Sequence, residues 1–109
     1  AILRQCWNNL GRVAAEMPHV HRLSCAWAGT PDAARAHLVV HGQEHVQAYQ
    51  GRPVIFLSGH LGNWELLAHA AHFMDMPFAR IYRAANNPLV DRLILNMRNR
   101  VPGGLIPKG

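Results

Sequence analysis

An unbroken apolar run from Val54 to Leu57 leads through a glycine-containing turn into a segment with helical periodicity. A run without polar alternation is typical of a strand that is buried on both faces of a parallel sheet. Parallel strands cannot be joined by a tight hairpin, so they require crossover connections, which are usually helices. This segment therefore favours architectures in which strands and helices alternate.

The rest of the chain has the same alternation. Apolar residues recur at helical spacing over residues 2–17, and Pro18 provides a stop signal. Residues 18–37 show no clear period, although Thr30-Pro31-Asp32 is a weak helix start. The later elements are predicted as a strand at 37–42, a helix at 43–51, a strand at 52–59, a helix at 63–74, a strand at 79–83, a helix at 87–100 and a strand at 103–107. Together they predict an α/β fold with a mainly parallel sheet and strand-helix alternation.

Length and the chain ends suggest one partial domain. A chain of 109 residues, half of them hydrophobic, forms one small core and is too short for two comfortable ones. It starts at Ala1 rather than at a methionine and stops just after a predicted strand. We therefore expect residues 1–109 to be a single domain fragment of a longer protein.

Charge and cysteine content narrow the possible partners and location. The net charge is +5 with the eight histidines neutral, which fits a phospholipid surface, a phosphorylated substrate, an acidic protein or nucleic acid. Cys6 and Cys25 form no closely spaced framework, which favours a reduced, cytoplasm-facing location. No apolar run reaches the ~18–20 residues that would cross a bilayer, so we expect any membrane contact of this portion to be at the surface.

The turn after the apolar run contains a histidine and a glutamate five residues apart, His60 and Glu65. On an uninterrupted helix this spacing leaves ~140° between two side chains, so they meet only if the backbone turns between them. Gly59 and Gly62 supply that freedom, and Asn63 is a good helix cap.

Two interpretations of this pair follow from its spacing. In one, His60 and Glu65 form a structural, hydrogen-bonded pair in a glycine-containing turn. In the other, the carboxylate fixes the imidazole tautomer and raises the basicity of the second ring nitrogen, which then takes a proton from a substrate hydroxyl.

The amino-acid sequence of the turn resembles a sequence block of a known protein family. "GHLGNWE" is similar to the His-x4-acid block of the bacterial lipid A biosynthesis acyltransferases, which are related to the wider lysophospholipid acyltransferase group. A second segment, "IYRAANNPLVDRLILNMR", resembles another block of that family, and the resemblance extends over roughly residues 39–109. The matching residues of the second block are Tyr82, Arg83, Asn87, Pro88, Asp91 and Arg98.

The resemblance implies a glycerolipid acyltransferase-like fold and a direct transfer reaction. A fatty acyl group would move from an acyl carrier protein thioester to a hydroxyl of a lipid A precursor, at the cytoplasmic face of the bacterial inner membrane. No metal or cofactor is implied. This family usually begins with an N-terminal membrane anchor and continues past the point where this chain ends.

The resemblance also implies roles for individual residues. His60 would be the general base, and Glu65 would orient it. Arg83 would contact a substrate phosphate or the developing oxyanion, because a guanidinium suits both. Four further residues would hold the site or the acceptor: Asn63, Asn87, Asp91 and Arg98.

Four alternatives remain open at this stage. The first is an acyltransferase whose acceptor is another lysophospholipid or glycolipid. The second is a non-catalytic basic module whose helix at 2–17 lies on lipid. A metal site would use the pairs His41/His45 or His69/His72. A nucleic-acid module would use the basic residues and the tryptophans, although no binding motif is present.

Overall fold

The computed structural model describes all residues, 1–109, as a mixed assembly of helices and short strands. The α-helices are α1 (Ile2–Glu16), α2 (Gln43–Gln47), α3 (Leu66–Phe73) and α4 (Pro88–Arg98), and the strands are β1 (Cys25–Trp27), β2 (Leu38–Val40), β3 (Ala79–Tyr82) and β4 (Gly104–Pro107). Two 3₁₀-helices, Met17–Arg22 and Pro31–Ala34, connect elements in the first third of the chain.

The strands form two separate parallel pairs. β1 pairs with β2, with Cys25 opposite Leu38, and β3 pairs with β4, with Tyr82 opposite Pro107. α4 provides the crossover from β3 to β4. The predicted α/β class with parallel pairing is confirmed, although the pairs do not join into one continuous sheet.

The prediction that the apolar run forms a strand is wrong. Val54 to Leu57 form no strand, and Ile55 and Leu57 are 86% and 92% exposed. An apolar run becomes a buried strand only when neighbouring strands pair with it and other elements cover its faces. Here neither β2 nor β3 pairs with the segment, so its side chains face solvent.

The other predicted elements have observed counterparts. The first helix ends at Glu16, one residue before the prediction, and the strands at 37–42, 79–83 and 103–107 are present in shortened form. The helix predicted from residue 63 begins at Leu66, after a turn. The weakly patterned residues 18–37 contain β1, which was missed because three residues are too few to display a period.

A small apolar core lies beside the turn that contains Glu65. Val20, Ala68 and Val101 are buried together, and Leu66 and Phe78 pack against them. The 3₁₀-helix Met17–Arg22, α3 and the segment after α4 therefore meet at one point. No helix of the chain is both long enough and apolar enough to span a membrane.

Candidate active site

The turn between residues 58 and 66 is tied to α1. Gly62 adopts φ +56°, which a residue with a Cβ rarely does, and its carbonyl accepts a hydrogen bond of 2.9 Å from Asn9 Nδ2. Asn63 Oδ1 accepts from the main-chain N–H of Glu65 at 3.1 Å, while Asn63 Nδ2 donates to Glu16 Oε2 at 2.7 Å. Asn63 thus caps the turn before α3 and joins it to α1.

Glu65 is buried and paired with an arginine from α4. Arg98 Nη2 donates to Glu65 Oε1 at 2.5 Å, and Arg98 Nε donates to Glu65 Oε2 at 3.2 Å. The Arg98 side chain is 21% exposed and the Glu65 side chain is 7% exposed. This two-point geometry fixes both the position and the plane of the carboxylate. The pair links two residues that the sequence had assigned to one site, 33 positions apart.

A second arginine, Arg80, lies behind this pair and was missed from the sequence. Arg80 Nη2 donates to the main-chain oxygen of Arg98 at 2.9 Å. Burial lowers the pKa of the Arg80 guanidinium, Glu65 opposes that shift and Arg98 adds to it. The available signal was strand alternation, because Arg80 and Tyr82 occupy the half-buried face of β3.

His60 makes no hydrogen bond or ion pair with Glu65. Its ring is exposed and packs edge-on against the Trp64 ring, with 4.6 Å between centroids and 83° between planes. Both Glu65 oxygens are bound by Arg98 rather than by the imidazole. Each carboxylate oxygen still has a second lone pair, so this pairing leaves acceptor capacity on Glu65. The structure therefore pairs Glu65 with Arg98, whereas the His60 ring contacts Trp64.

An open groove of about 320 Å³ runs beside the turn. β2, the turn and α3 form its walls, and most of its lining is apolar. Trp64, which the His60 ring contacts, is part of that lining. The groove is lined by Leu38, Val39, Val40, His41, Ser58, Leu61, Asn63, Trp64, Leu66, Leu67 and Ala70.

The remaining predicted site residues lie at the start of α4 and the end of β3. Asn87 is the N-cap of α4, and its Oδ1 accepts from the N–H groups of Leu89 and Val90 at 2.9 and 3.4 Å. Asp91 Oδ1 accepts from the main-chain N–H of Ala85 at 2.8 Å. Arg83 follows the carboxyl end of β3, is exposed and has no ion-pair partner.

Comparison with known families decides the relationship. The family described as bacterial lipid A biosynthesis acyltransferase matches residues 1–109 of the chain. This protein belongs to that family. No curated protein and no solved structure gives a significant match. Membership in an acyltransferase family agrees with the resemblance in both sequence blocks and extends it to the first helix.

In this lipid A acyltransferase family member, the histidine pairs proposed as metal ligands have other surroundings. His69 Nε2 lies 2.6 Å from the Leu23 carbonyl oxygen, and His45 lies 3.5 Å from Glu44. The structure gathers no group of three His, Cys, Asp or Glu side chains that could hold a metal ion.

Burial raises the pKa of the Cys25 thiol, which disfavours the nucleophilic thiolate.

The capping geometry leads to a prediction for Asn87. We expect Asn87→Ala to lower the free energy of unfolding by about 1 kcal/mol, because α4 loses the acceptor for its first N–H groups. Urea unfolding followed by circular dichroism measures the change. Asn96→Ala is the matched control, since Asn96 is an exposed residue within the same helix. Equal stability of the two variants would contradict the capping role.

Proposed function

We propose that this chain transfers a fatty acyl group from an acyl carrier protein thioester to a hydroxyl of a lipid A precursor. The proposal is carried by one arrangement: the exposed His60 packs against Trp64, which lines an apolar groove, and Glu65 of the same turn is buried and held by Arg98. Family membership supports the chemistry, since the whole chain matches lipid A biosynthesis acyltransferases.

In the proposed reaction His60 is the general base. Its imidazole takes the proton of the acceptor hydroxyl while the hydroxyl oxygen attacks the thioester carbonyl carbon. The resulting tetrahedral intermediate collapses with cleavage of the carbon–sulfur bond, and the protonated imidazole returns the proton to the leaving thiolate. An exposed imidazole is suited to this role because the acceptor can reach it.

Glu65 is proposed to orient His60 and to stabilise the imidazolium. For this contact the exposed segment around His60 must turn the ring from Trp64 towards a free lone pair of the carboxylate. Catalytic hydrogen bonds commonly tighten only when substrate is bound. Arg98 would hold the carboxylate in one plane throughout, so only the histidine has to move.

The groove is proposed to hold the acyl chain. Its volume of about 320 Å³ lies within the ordinary range of ligand pockets, and an apolar lining suits a hydrocarbon chain. Arg83, exposed and without an ion-pair partner beyond the end of β3, is proposed to bind a phosphate of the acceptor or the oxyanion. Asn87 and Asp91 would support that region by holding the start of α4.

We also propose that the protein works at the cytoplasmic face of the bacterial inner membrane. Ile2, Leu3 and Trp7 on α1 are 76%, 77% and 71% exposed, and Arg4 and Arg12 lie on the same helix. Exposed apolar residues next to basic ones suit the surface of an anionic membrane. The net charge of +5 is also compatible with phosphorylated lipids and with an acidic donor protein.

The same α1 surface favours one alternative, a non-catalytic domain that rests on lipid. An acyl acceptor other than lipid A, such as another lysophospholipid or glycolipid, is the second alternative. Incubating the full-length protein with acyl-loaded carrier protein and each acceptor separates these functions by mass spectrometry. A gain of one acyl group on the lipid A precursor supports the proposal, whereas vesicle binding without any acyl product contradicts it.

The proposed acyl groove leads to a prediction for Ala70, which lies on its α3 wall. We expect Ala70→Trp to reduce transfer of a long acyl chain at least tenfold, because an indole fills the groove, and to spare short chains. Turnover with donors of increasing chain length measures the effect. Ala15→Trp is the matched control, since Ala15 is exposed on α1 outside the groove. Equal losses for all chain lengths would contradict an acyl-binding groove.

A further inference from the structure

We propose that Arg80 is a positioning residue for the Glu65 carboxylate and that it acts through the backbone of Arg98. The inference rests on the acyl-transfer role proposed for His60 and Glu65. Arg80 lies outside the two sequence blocks that resemble the family, and no assigned role involves it. Its contacts nevertheless place it at the base of the only buried ion pair of the chain.

Arg80 contacts the carboxyl end of α4. Arg80 Nη2 donates to the main-chain oxygen of Arg98, at a distance of 2.9 Å. Arg98 is the last residue of α4, and its carbonyl oxygen also accepts from the main-chain N–H of Val101 at 3.2 Å. A guanidinium bound to this carbonyl fixes the point from which the Arg98 side chain extends. The same side chain then binds both oxygens of Glu65.

The Arg80 side chain is held in place by its surroundings. Arg80 is on β3, with Leu105 of β4 as its register partner, so its backbone is fixed by a parallel pair. Its guanidinium carbon lies 5.8 Å from the centroid of the Phe78 ring. Phe78 itself packs against the small core. The strand, the ring and the core thus hold the Arg80 side chain on one side, while the end of α4 holds it on the other.

The charges around Glu65 bear on the role of Arg80. Two guanidinium groups, from Arg80 and Arg98, lie near one buried carboxylate in a pocket whose remaining walls are apolar. Burying a second cation here costs solvation, and its Nε has no hydrogen-bond partner. An apolar side chain at position 80 would avoid that cost. The contact of Arg80 with the end of α4 offsets that cost if it holds Arg98 in place.

The test compares Arg80→Gln with Arg92→Gln in the full-length protein. Arg92 is an exposed arginine on α4, so its substitution removes the same charge without touching the Glu65 pair. We expect Arg80→Gln to lower kcat about tenfold or more and to leave KM within about twofold, because misplacing a catalytic group affects the chemical step. Arg92→Gln keeps both constants.

A second measurement does not depend on activity. The Nε–H proton of Arg98, which donates to Glu65, exchanges slowly with water when the pair is held, and nuclear magnetic resonance reports its exchange rate. We expect exchange to become about tenfold faster in Arg80→Gln and to stay unchanged in Arg92→Gln. Arg80→Lys, which keeps a positive donor, should restore part of both kcat and protection.

The outcomes separate this inference from the proposed function. A folded Arg80→Gln protein with wild-type kcat and an Arg98 proton as protected as in wild type overturns the positioning role. If the wild-type protein transfers no acyl group, the proposed function is lost, and the exchange rates alone decide whether Arg80 holds Arg98. If Arg80→Gln fails to fold, Arg80→Met, which has no hydrogen-bond donor, carries the test, and wild-type kcat and protection in that variant overturn the inference.

Discussion

We expect the His60→Ala variant to lose about 10²–10⁴-fold in the rate of acyl transfer, which is the usual contribution of a general base. The same variant should keep its fold. His60 is exposed and its packing partner is the Trp64 ring, so its removal deletes little buried surface. Its free energy of unfolding should therefore stay within about 0.5 kcal/mol of wild type. Turnover with acyl carrier protein donors and urea unfolding measure the two quantities.

His72→Ala is the matched control for His60. His72 is also exposed, but it lies on the far part of α3 and outside the groove. We expect this variant to keep wild-type turnover. A folded His60→Ala protein that still transfers acyl groups at the wild-type rate would remove His60 as the base. The buried Glu65 could not replace it, because its side chain is only 7% exposed and the acceptor hydroxyl cannot reach it.

The sequence predicted the helices and paired strands better than the segment between them. α4 was predictable because its signals are local: Asn87 caps it and Pro88 opens its first turn. The β3–α4–β4 crossover followed from that helix and the short apolar strands on either side. Val54 to Leu57 failed for a different reason. Their burial depends on distant partners, which a local pattern cannot supply.

The same distinction applies to the candidate site. Spacing correctly indicated that the chain turns between Gly59 and Asn63, since Gly62 adopts a positive φ and Asn63 caps the turn. It did not indicate which group Glu65 contacts. A carboxylate near both a histidine and a distant arginine is bound by whichever side chain the tertiary fold brings closer. That choice depends on how α3 and α4 each pack against the 3₁₀-helix Met17–Arg22, which is a long-range property.

Arg80 illustrates the limit most clearly. Strand alternation placed it on the half-buried face of β3, but an arginine at such a position normally extends its charge to solvent. Only the end of α4 provides the carbonyl that holds it inside. A half-buried arginine held by a carbonyl was thus not predictable from β3 alone, because that carbonyl belongs to a residue 18 positions away.

The largest loss of stability should follow from Arg98→Met. We expect the free energy of unfolding to fall by about 3–5 kcal/mol, because the substitution leaves the Glu65 carboxylate charged, buried and without its partner. This is a large share of the roughly 5–15 kcal/mol that stabilises a typical protein. Urea unfolding at low temperature measures the change. Arg92→Met is the matched control, since Arg92 is exposed on the same helix, and it should stay within about 0.5 kcal/mol.

The double variant Glu65→Leu/Arg98→Met identifies the cause of that loss. The surroundings of the pair include Met17, Val20 and Val101, which suit apolar side chains. We therefore expect the double variant to be more stable than Arg98→Met alone, because it contains no buried carboxylate without its ion-pair partner. A double variant as unstable as the single one would mean that Arg98 stabilises the fold by packing rather than by charge. An inactive but stable double variant would instead assign the Glu65–Arg98 pair to catalysis, at a net cost in stability that apolar residues avoid.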